Sequence, residues 1–228
     1  AGETSFQGRL YRLELQLSPQ GHGRYSLDPR VLETHLLTDT AGHAMTGDAR
    51  AFDPLNSPDS LRLDAEAIRL AADGRTAFVS DEYGPFIDLF DIRSGKRLKT
   101  LKVPNKFQID SPSADGREEM RHNLFGRQSN RGFEGLAITP DGKRLLAIIQ
   151  DPLLQDAEQR ADGKATGLNN RMLELDLETG GRRAFGYPLE DAANGVSEIL
   201  AINADEYLVL ERDTRSGEAA RFKKVFRI

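Results

Sequence analysis

EGLAITPDGKRLLAIIQD, from Glu134 to Asp151, is the stretch that decides the fold. It opens on an acid, runs through an apolar segment, breaks at Asp141-Gly142 and resumes with a second apolar run. Two such runs around an Asp-Gly pair read as an antiparallel hairpin, because Asp-Gly readily takes the positive φ angles of a tight turn. The same phrase recurs on both sides. EAIRLAADGRTAFVSDE spans Glu66 to Glu82, and EILAINADEYLVLER spans Glu198 to Arg212. In each copy the opening Glu is followed seven residues later by an Asp: Asp73, Asp141 and Asp205. Only the third departs, with Glu206 where the others carry Gly.

The segment after each of the first two hairpins also repeats. PFIDLFDIRSGKRLKTLKVP turns at Ser94-Gly95 after Asp91, and NRMLELDLETGGRRAFGYPL turns at Thr179-Gly180 after Asp176. Each unit therefore reads as four consecutive antiparallel strands, and repeated four-stranded units are the mark of propeller blades. A sandwich with look-alike hairpins is the alternative, and the threefold Glu-to-Asp spacing weighs against it. The expected fold class is all-β: one domain over residues 1–228, a β-propeller of four-stranded antiparallel blades.

RLYRLELQL (Arg9 to Leu17), with Ser18-Pro19-Gln20-Gly21 behind it, reads as the third strand and turn of an earlier blade. KKVFRI ends within the third strand of the last one. About three and a half blades are recognisable where closed rings have roughly four to eight, so the propeller is expected to be truncated or incomplete in this chain. Helix-friendly composition is confined to short stretches such as DAEQRADGK around Gln159, read as loop insertions.

Composition narrows the functional classes. With 228 residues, 38% of them hydrophobic, the chain can bury a proper core. A net charge of −5 speaks against nucleic-acid binding, and the short basic cluster RFKK reads as a solvated strand or turn. The absence of Cys removes disulfides and thiolate metal sites. No apolar run is long enough to span a membrane. The opening AGETSFQGRL lacks a signal-peptide profile, so an exported protein would already have lost its leader. His22, His35, His43 and His122 show no ligand spacing and read as surface loop residues. Neither a G-x-S-x-G elbow nor a P-loop occurs. Asp53, Asn56 and Asp59 in DPLNSPD are spaced rather like a calcium loop, but two prolines and the missing Gly and terminal Glu make this a turn-rich connection into the blade near Leu63.

Blade geometry then places chemistry. First strands line the channel of a propeller, and their starts share a mouth with the ends of the second strands. Glu66, Glu134 and Glu198 begin first strands; Asp81 and Glu82, Asp151, and Glu211 with Arg212 end second strands. Two carboxylates about 4 Å apart repel by roughly 4 kcal/mol at an effective dielectric near 20. Raised pKa values, a hard cation or interleaved arginines relieve such crowding, and Arg131, Arg171 and Arg212 sit at matching edges of the units. For oxygen-only donors in loops Ca²⁺ is the natural ion. Three roles stay open for these acids: structural pairing between blades, metal or substrate binding, and acid–base catalysis. SNRGFEGL (Ser129 to Leu136) adds Asn130 and Arg131 as donors toward substrate, with Gly132 and Gly135 permitting close backbone approach.

The succession LDAEAIRL, VSDEYGP, KVP, NRGFEGLAITPDGKRL, Asp151-Pro152-Leu153, NNRMLELDLETG, Tyr187-Pro188-Leu189, SEILAIN and LVLERD resembles the phytase-like family, described as esterase-like activity of phytase. The resemblance runs from about Gly8 onward, and N-x-G-F-E-G-L-A with LVLERD are its most specific pieces. It implies a propeller, export to the periplasm or the medium, and hydrolysis of phosphate or other esters of a small molecule. The family begins earlier and continues past the LERD strand, in keeping with truncation. The positions that match are Glu66, Glu82, Asn130, Glu134, Arg171, Glu198, Glu211 and Arg212. By analogy with calcium-dependent propeller phytases, the carboxylates Glu66, Glu82, Glu134, Glu198 and Glu211 would hold Ca²⁺. Glu134, Glu66 and Arg212 would carry catalysis, while Asn130, Arg131 and Arg171 would bind substrate. A carboxylester or lactone hydrolase, or a non-catalytic binding propeller, are the alternatives. The expected assembly is a monomer with no nucleic-acid or membrane partner.

Overall fold

A computed structural model of the chain describes residues 3–55, 59–159 and 165–228. β1 (Glu3–Gln7) is followed by β2 (Arg9–Gly21) and β3 (Arg24–Leu36), which pair with each other as a two-stranded antiparallel ribbon. β4 (Thr46–Asp48) returns to pair with β1. The ribbon turn sits at Gly21-His22-Gly23, all three with positive φ, rather than at Ser18–Gly21 as the sequence suggested. Glycine supplies that left-handed turn cheaply, so β2 continues past Pro19, with a shift of register between Pro19 and Gly21.

The first full sheet has the order β5 (Ala65–Leu70), β6 (Thr76–Asp81), β7 (Phe86–Asp91) and β8 (Arg97–Thr100). The next comprises β9 (Phe133–Ile138), β10 (Arg144–Ile149), β13 (Asn169–Asp176) and β14 (Arg182–Pro188), with the two-residue pair β11 (Glu158–Gln159) and β12 (Ala165–Thr166) inserted. β15 (Gly195–Ala201), β16 (Tyr207–Arg212) and β17 (Lys223–Arg227) make a third, three-stranded sheet. All pairs within these sheets are antiparallel, in the order the repeats predict. The Asp-Gly turns are built as read: Asp73 accepts hydrogen bonds from the amides of Arg75 and Thr76, and Gly74 and Gly142 take positive φ.

The second sheet is buried on both faces, and strand periodicity shows how. On β10, Leu145, Ala147 and Ile149 point into a core shared with Phe78 and Ile87 of the first sheet. The intervening Leu146 and Ile148 pack with Val196, Ile199 and Val209 of the third. β9 lies against both β5 and β15, so the first strands of the three sheets are neighbours.

One helix was not foreseen. α1 (Gly116–His122) lies between β8 and β9, capped by Asp115, whose carboxylate accepts from the amides of Arg117 and Glu118. Glu118 and Glu119 in its first turn and Arg121 and His122 in its last complement the helix dipole. His122 is thus a helix-end residue, and His35 is a half-buried strand residue paired with Glu33; neither lies in a loop. DPLNSPD and DAEQRADGK fall partly outside the described residues, at 56–58 and 160–164. No helix among the described residues is long and apolar enough to cross a membrane.

Candidate functional site

Irregularities in the first strands bring the acids together. β5 carries a register shift between Ala65 and Ile68, with the Ala67 amide bonding the Ser80 hydroxyl, and β9 carries one at Glu134. A bulge re-aims the side chain it displaces. Glu66 and Glu134 are both displaced in this way, and both turn toward Glu82 at the end of β6. Asp64, just before β5, completes the group: one oxygen each from Asp64, Glu66 and Glu82 lie within 4.8 Å of one another.

Glu82 is 2% exposed. Burial, then the charges of Glu134, Glu66 and Asp64, push its carboxyl up to about 9, against an opposing pull from Arg131. Glu66 is raised to about 7, first by loss of water and then by Glu134. Glu134 is raised less: burial is countered by Arg212, by a hydrogen bond from Glu82 and by Arg131. Of the two, Glu82 is the carboxyl whose neutral form burial and its acidic neighbours favour more strongly.

Two arginines border the acids. Arg131 Nε lies 3.0 Å from Asp151, and its Nη1 donates to Gln150 Oε1 and to the Asn130 carbonyl. Arg212 Nη2 stands 3.8 Å from Glu134, while its Nε donates to Ser197 Oγ at 2.9 Å. Asn130 sits in the left-handed region at φ 54, and its Oδ1 is buried without a hydrogen-bond partner among the described residues.

The approach depends on glycine. A Cβ on Gly132 would lie 2.0 Å from the Glu82 carbonyl oxygen, and one on Gly135 would lie 2.8 Å from the Ile199 amide nitrogen. Gly132→Ala should therefore cost about 1–3 kcal/mol in unfolding free energy, as overpacking does. It should also weaken cation binding by moving Glu82; calorimetry with Ca²⁺ alongside urea titration checks both.

Three expected members are elsewhere. In β15 the register shift falls on Ser197, between Val196 and Glu198, so Glu198 keeps its place in the ladder. There it pairs with Arg69 of β5 at 2.8 Å. Glu211 faces the opposite side of β16 from Arg212 and is fully buried. It accepts from Asn194 Nδ2, the Glu190 amide and the Tyr187 hydroxyl, a structural network that leaves it no open side. Arg171, on β13, forks onto the Asp156 carboxylate. Glu198, Glu211 and Arg171 are thus not part of the cluster. Asp64 was missed, although it stands in the LDAEAI phrase two residues before Glu66.

The donor set of Asp64, Glu66 and Glu82 is all oxygen, negatively charged and partly shielded from water, which fits a hard divalent cation. Fold and cluster together define a class: all-β chains of antiparallel sheets, with a carboxylate–arginine site where the first strands begin. The chain belongs to the phytase-like family, "Esterase-like activity of phytase", whose match covers residues 2–228. An uncharacterized secreted protein of Arthroderma benhamiae is 28% identical over 279 aligned residues, covering 97% of this chain and 54% of that protein. The chain thus spans about half the length of this curated relative. Among solved structures, the Cps50 (Swd1) β-propeller domain of Myceliophteria thermophila aligns at a TM-score of 0.37 and 10% identity, over 72% of this chain and 39% of that one. Dipeptidyl peptidase 4 of Porphyromonas gingivalis aligns at 0.35 and 11%, over 89% and 28%.

Proposed function

We propose that the chain acts as an extracytoplasmic hydrolase of small phosphoesters, its sheets being blades of propeller type, with Asp64, Glu66 and Glu82 holding a divalent cation of the Ca²⁺ class. The observation that carries this reading is the crowding of these three carboxylates within 4.8 Å. Acids so close ionise together at neutral pH only beside compensating positive charge. Secretion of the Arthroderma benhamiae relative supports the location.

A cation so held supplies Lewis-acid polarisation of a phosphoryl oxygen and acidifies a bound water. The chain's own residues do the rest. Arg131 and Arg212 bind the non-bridging oxygens of the phosphoester. Both guanidinium groups are fixed beforehand, by Asp151 and Gln150 on one side and by Ser197 on the other, so little reorganisation accompanies binding. Glu134, beside Arg212, takes the proton of the attacking water. As the water oxygen bonds to phosphorus the ester P–O bond breaks, and the proton that Glu134 took from the water passes to the leaving oxygen.

Phosphate release from phytate and from aryl phosphates, with and without Ca²⁺, tests the reading. Arg212→Ala should lower kcat/KM about 100-fold, as loss of a donor to developing charge does. Arg171→Ala should leave it nearly unchanged, since Arg171 is committed to Asp156. Absence of turnover in both conditions sinks the proposal, and turnover confined to nitrophenyl acetate or lactones would move the activity to carboxylic esters.

A further inference from the structure

The ribbon of β2 and β3 has two unlike faces. On one, cross-strand pairs bring together Leu13 with Val31, Leu15 with Pro29, and Leu17 with Leu27, and Pro19 with Tyr25 follows at the tip. On the other stand Arg12 with Glu33, Glu14 with Arg30, and Gln16 with Asp28. The polar face is satisfied within itself: Arg12 pairs with Glu33 at 2.8 Å, Arg30 with Asp28 at 3.1 Å, and Gln20 bonds Ser26. The apolar face is covered by nothing in the described residues. Leu13, Leu15, Leu17, Leu27 and Val31 are 51–61% exposed, although each strand is 13 residues long.

A two-stranded ribbon alone in water is marginally stable at best, and alternation of this quality is how a sheet marks a face for burial. Only the base of the ribbon is docked, where Leu10 and Leu37 join the core around Val79 and Phe90.

We infer that this face is a dimer interface, in which the ribbons of two copies of the chain pack apolar face to apolar face about a two-fold axis near Leu15 and Pro29. Size and symmetry point to a second copy. A half-exposed leucine or valine offers about 100 Å² at the transfer energies of such side chains. Leu13, Leu15, Leu17, Leu27, Val31 and Tyr25 of each copy give on the order of 1,200 Å² for the pair, the lower bound of a standard specific interface. A two-fold contact needs a self-complementary patch, and the ladder is one: reversed end to end, its leucines and valine meet leucines and valine, and each tip Tyr25 falls beside the partner's base. The charged face of each ribbon stays in water, so stacking stops at two copies.

Sedimentation velocity on the full chain tests this. The wild type should be a dimer at micromolar concentration. Leu15→Glu with Leu27→Glu should weaken association about a hundredfold or more, because both changes bury charge at the centre. Gln16→Glu, on the polar face, should leave it intact. With no native cysteine in the chain, Leu15→Cys should form an inter-copy disulfide under mild oxidation and Gln16→Cys should not. A monomer at every concentration overturns the inference, whether its ribbon amides exchange rapidly, showing a bare face, or slowly, showing a cover supplied within the polypeptide. So does a dimer that survives the double glutamate change.

Discussion

Glu82→Gln should stabilise the cation-free protein at about pH 9 by a few kcal/mol, while weakening Ca²⁺ binding at least about a hundredfold. The first effect follows from the proton that folding forces onto Glu82. Its folded pKa, about 9, lies far above that of an exposed glutamate. Between the two values the folded chain keeps a proton that the unfolded chain has released. Stability is therefore fully present below the unfolded pKa and is lost as pH rises toward about 9, by up to about 1.4 kcal/mol per pH unit. Gln has the same shape and no charge to suppress, so the slope should largely vanish with it. The second effect follows because Gln offers a cation one neutral oxygen in place of a carboxylate. Urea titrations in chelator from about pH 5 to about pH 9, with calorimetry in Ca²⁺, read both quantities. A wild type equally stable across that range would mean the carboxyls are not crowded as described. Ca²⁺ should also stabilise the wild type more at the alkaline end, where it need not displace protons.

Arg127→Met should cost about 3–5 kcal/mol in unfolding free energy, since it strips one partner from a buried ion pair. Arg127 is fully buried; its Nη1 lies 2.5 Å from Glu119 on α1, and its Nε donates to the Tyr83 carbonyl at 2.6 Å. Removing it strips Glu119, itself 3% exposed, of its ion-pair partner and leaves its carboxylate the Ser113 amide as a hydrogen-bond donor. Glu119 is held below the ordinary carboxylate range by Arg127 despite its burial, so losing that neighbour should raise its pKa steeply. A cost below about 1 kcal/mol by urea titration would show that the pair is solvated. The double change Arg127→Met with Glu119→Leu should recover much of the loss, because replacing both charges removes the orphan.

The repeat was legible because each hairpin announces itself locally. Asp73-Gly74 and Asp141-Gly142 specify turns, and the residues between them alternate or run apolar as strands require. Convergence of Glu66, Glu82 and Glu134 could be reached from the same repeat, since strand starts and ends meet at one edge. The failures came from register. Glu134 and Glu198 stand alike in sequence, yet the shift falls on Glu134 in one sheet and on Ser197 in the next, and one residue of shift sends a side chain to the other face. Glu211 failed for the related reason that adjacent strand residues face apart, so it cannot share a site with Arg212. The helix α1 had its signals in Asp115, Glu118, Glu119 and Arg121, but seven residues carry too little periodicity to stand out.

The acidic cluster draws Asp64, Glu66 and Glu82 from the first sheet, and Arg131, Glu134 and Asp151 from the second, with Arg212 reaching in from the third. An ion seated there would act as a rivet through the seam between the first and second sheets, adding to side-chain packing and to the hydrogen bond from Arg182 Nε to the Lys102 carbonyl. Loading it should slow the breathing of β5 against β9, a loss of local opening that amide exchange at Ala67 and Leu136 would register before any change in the outer strands.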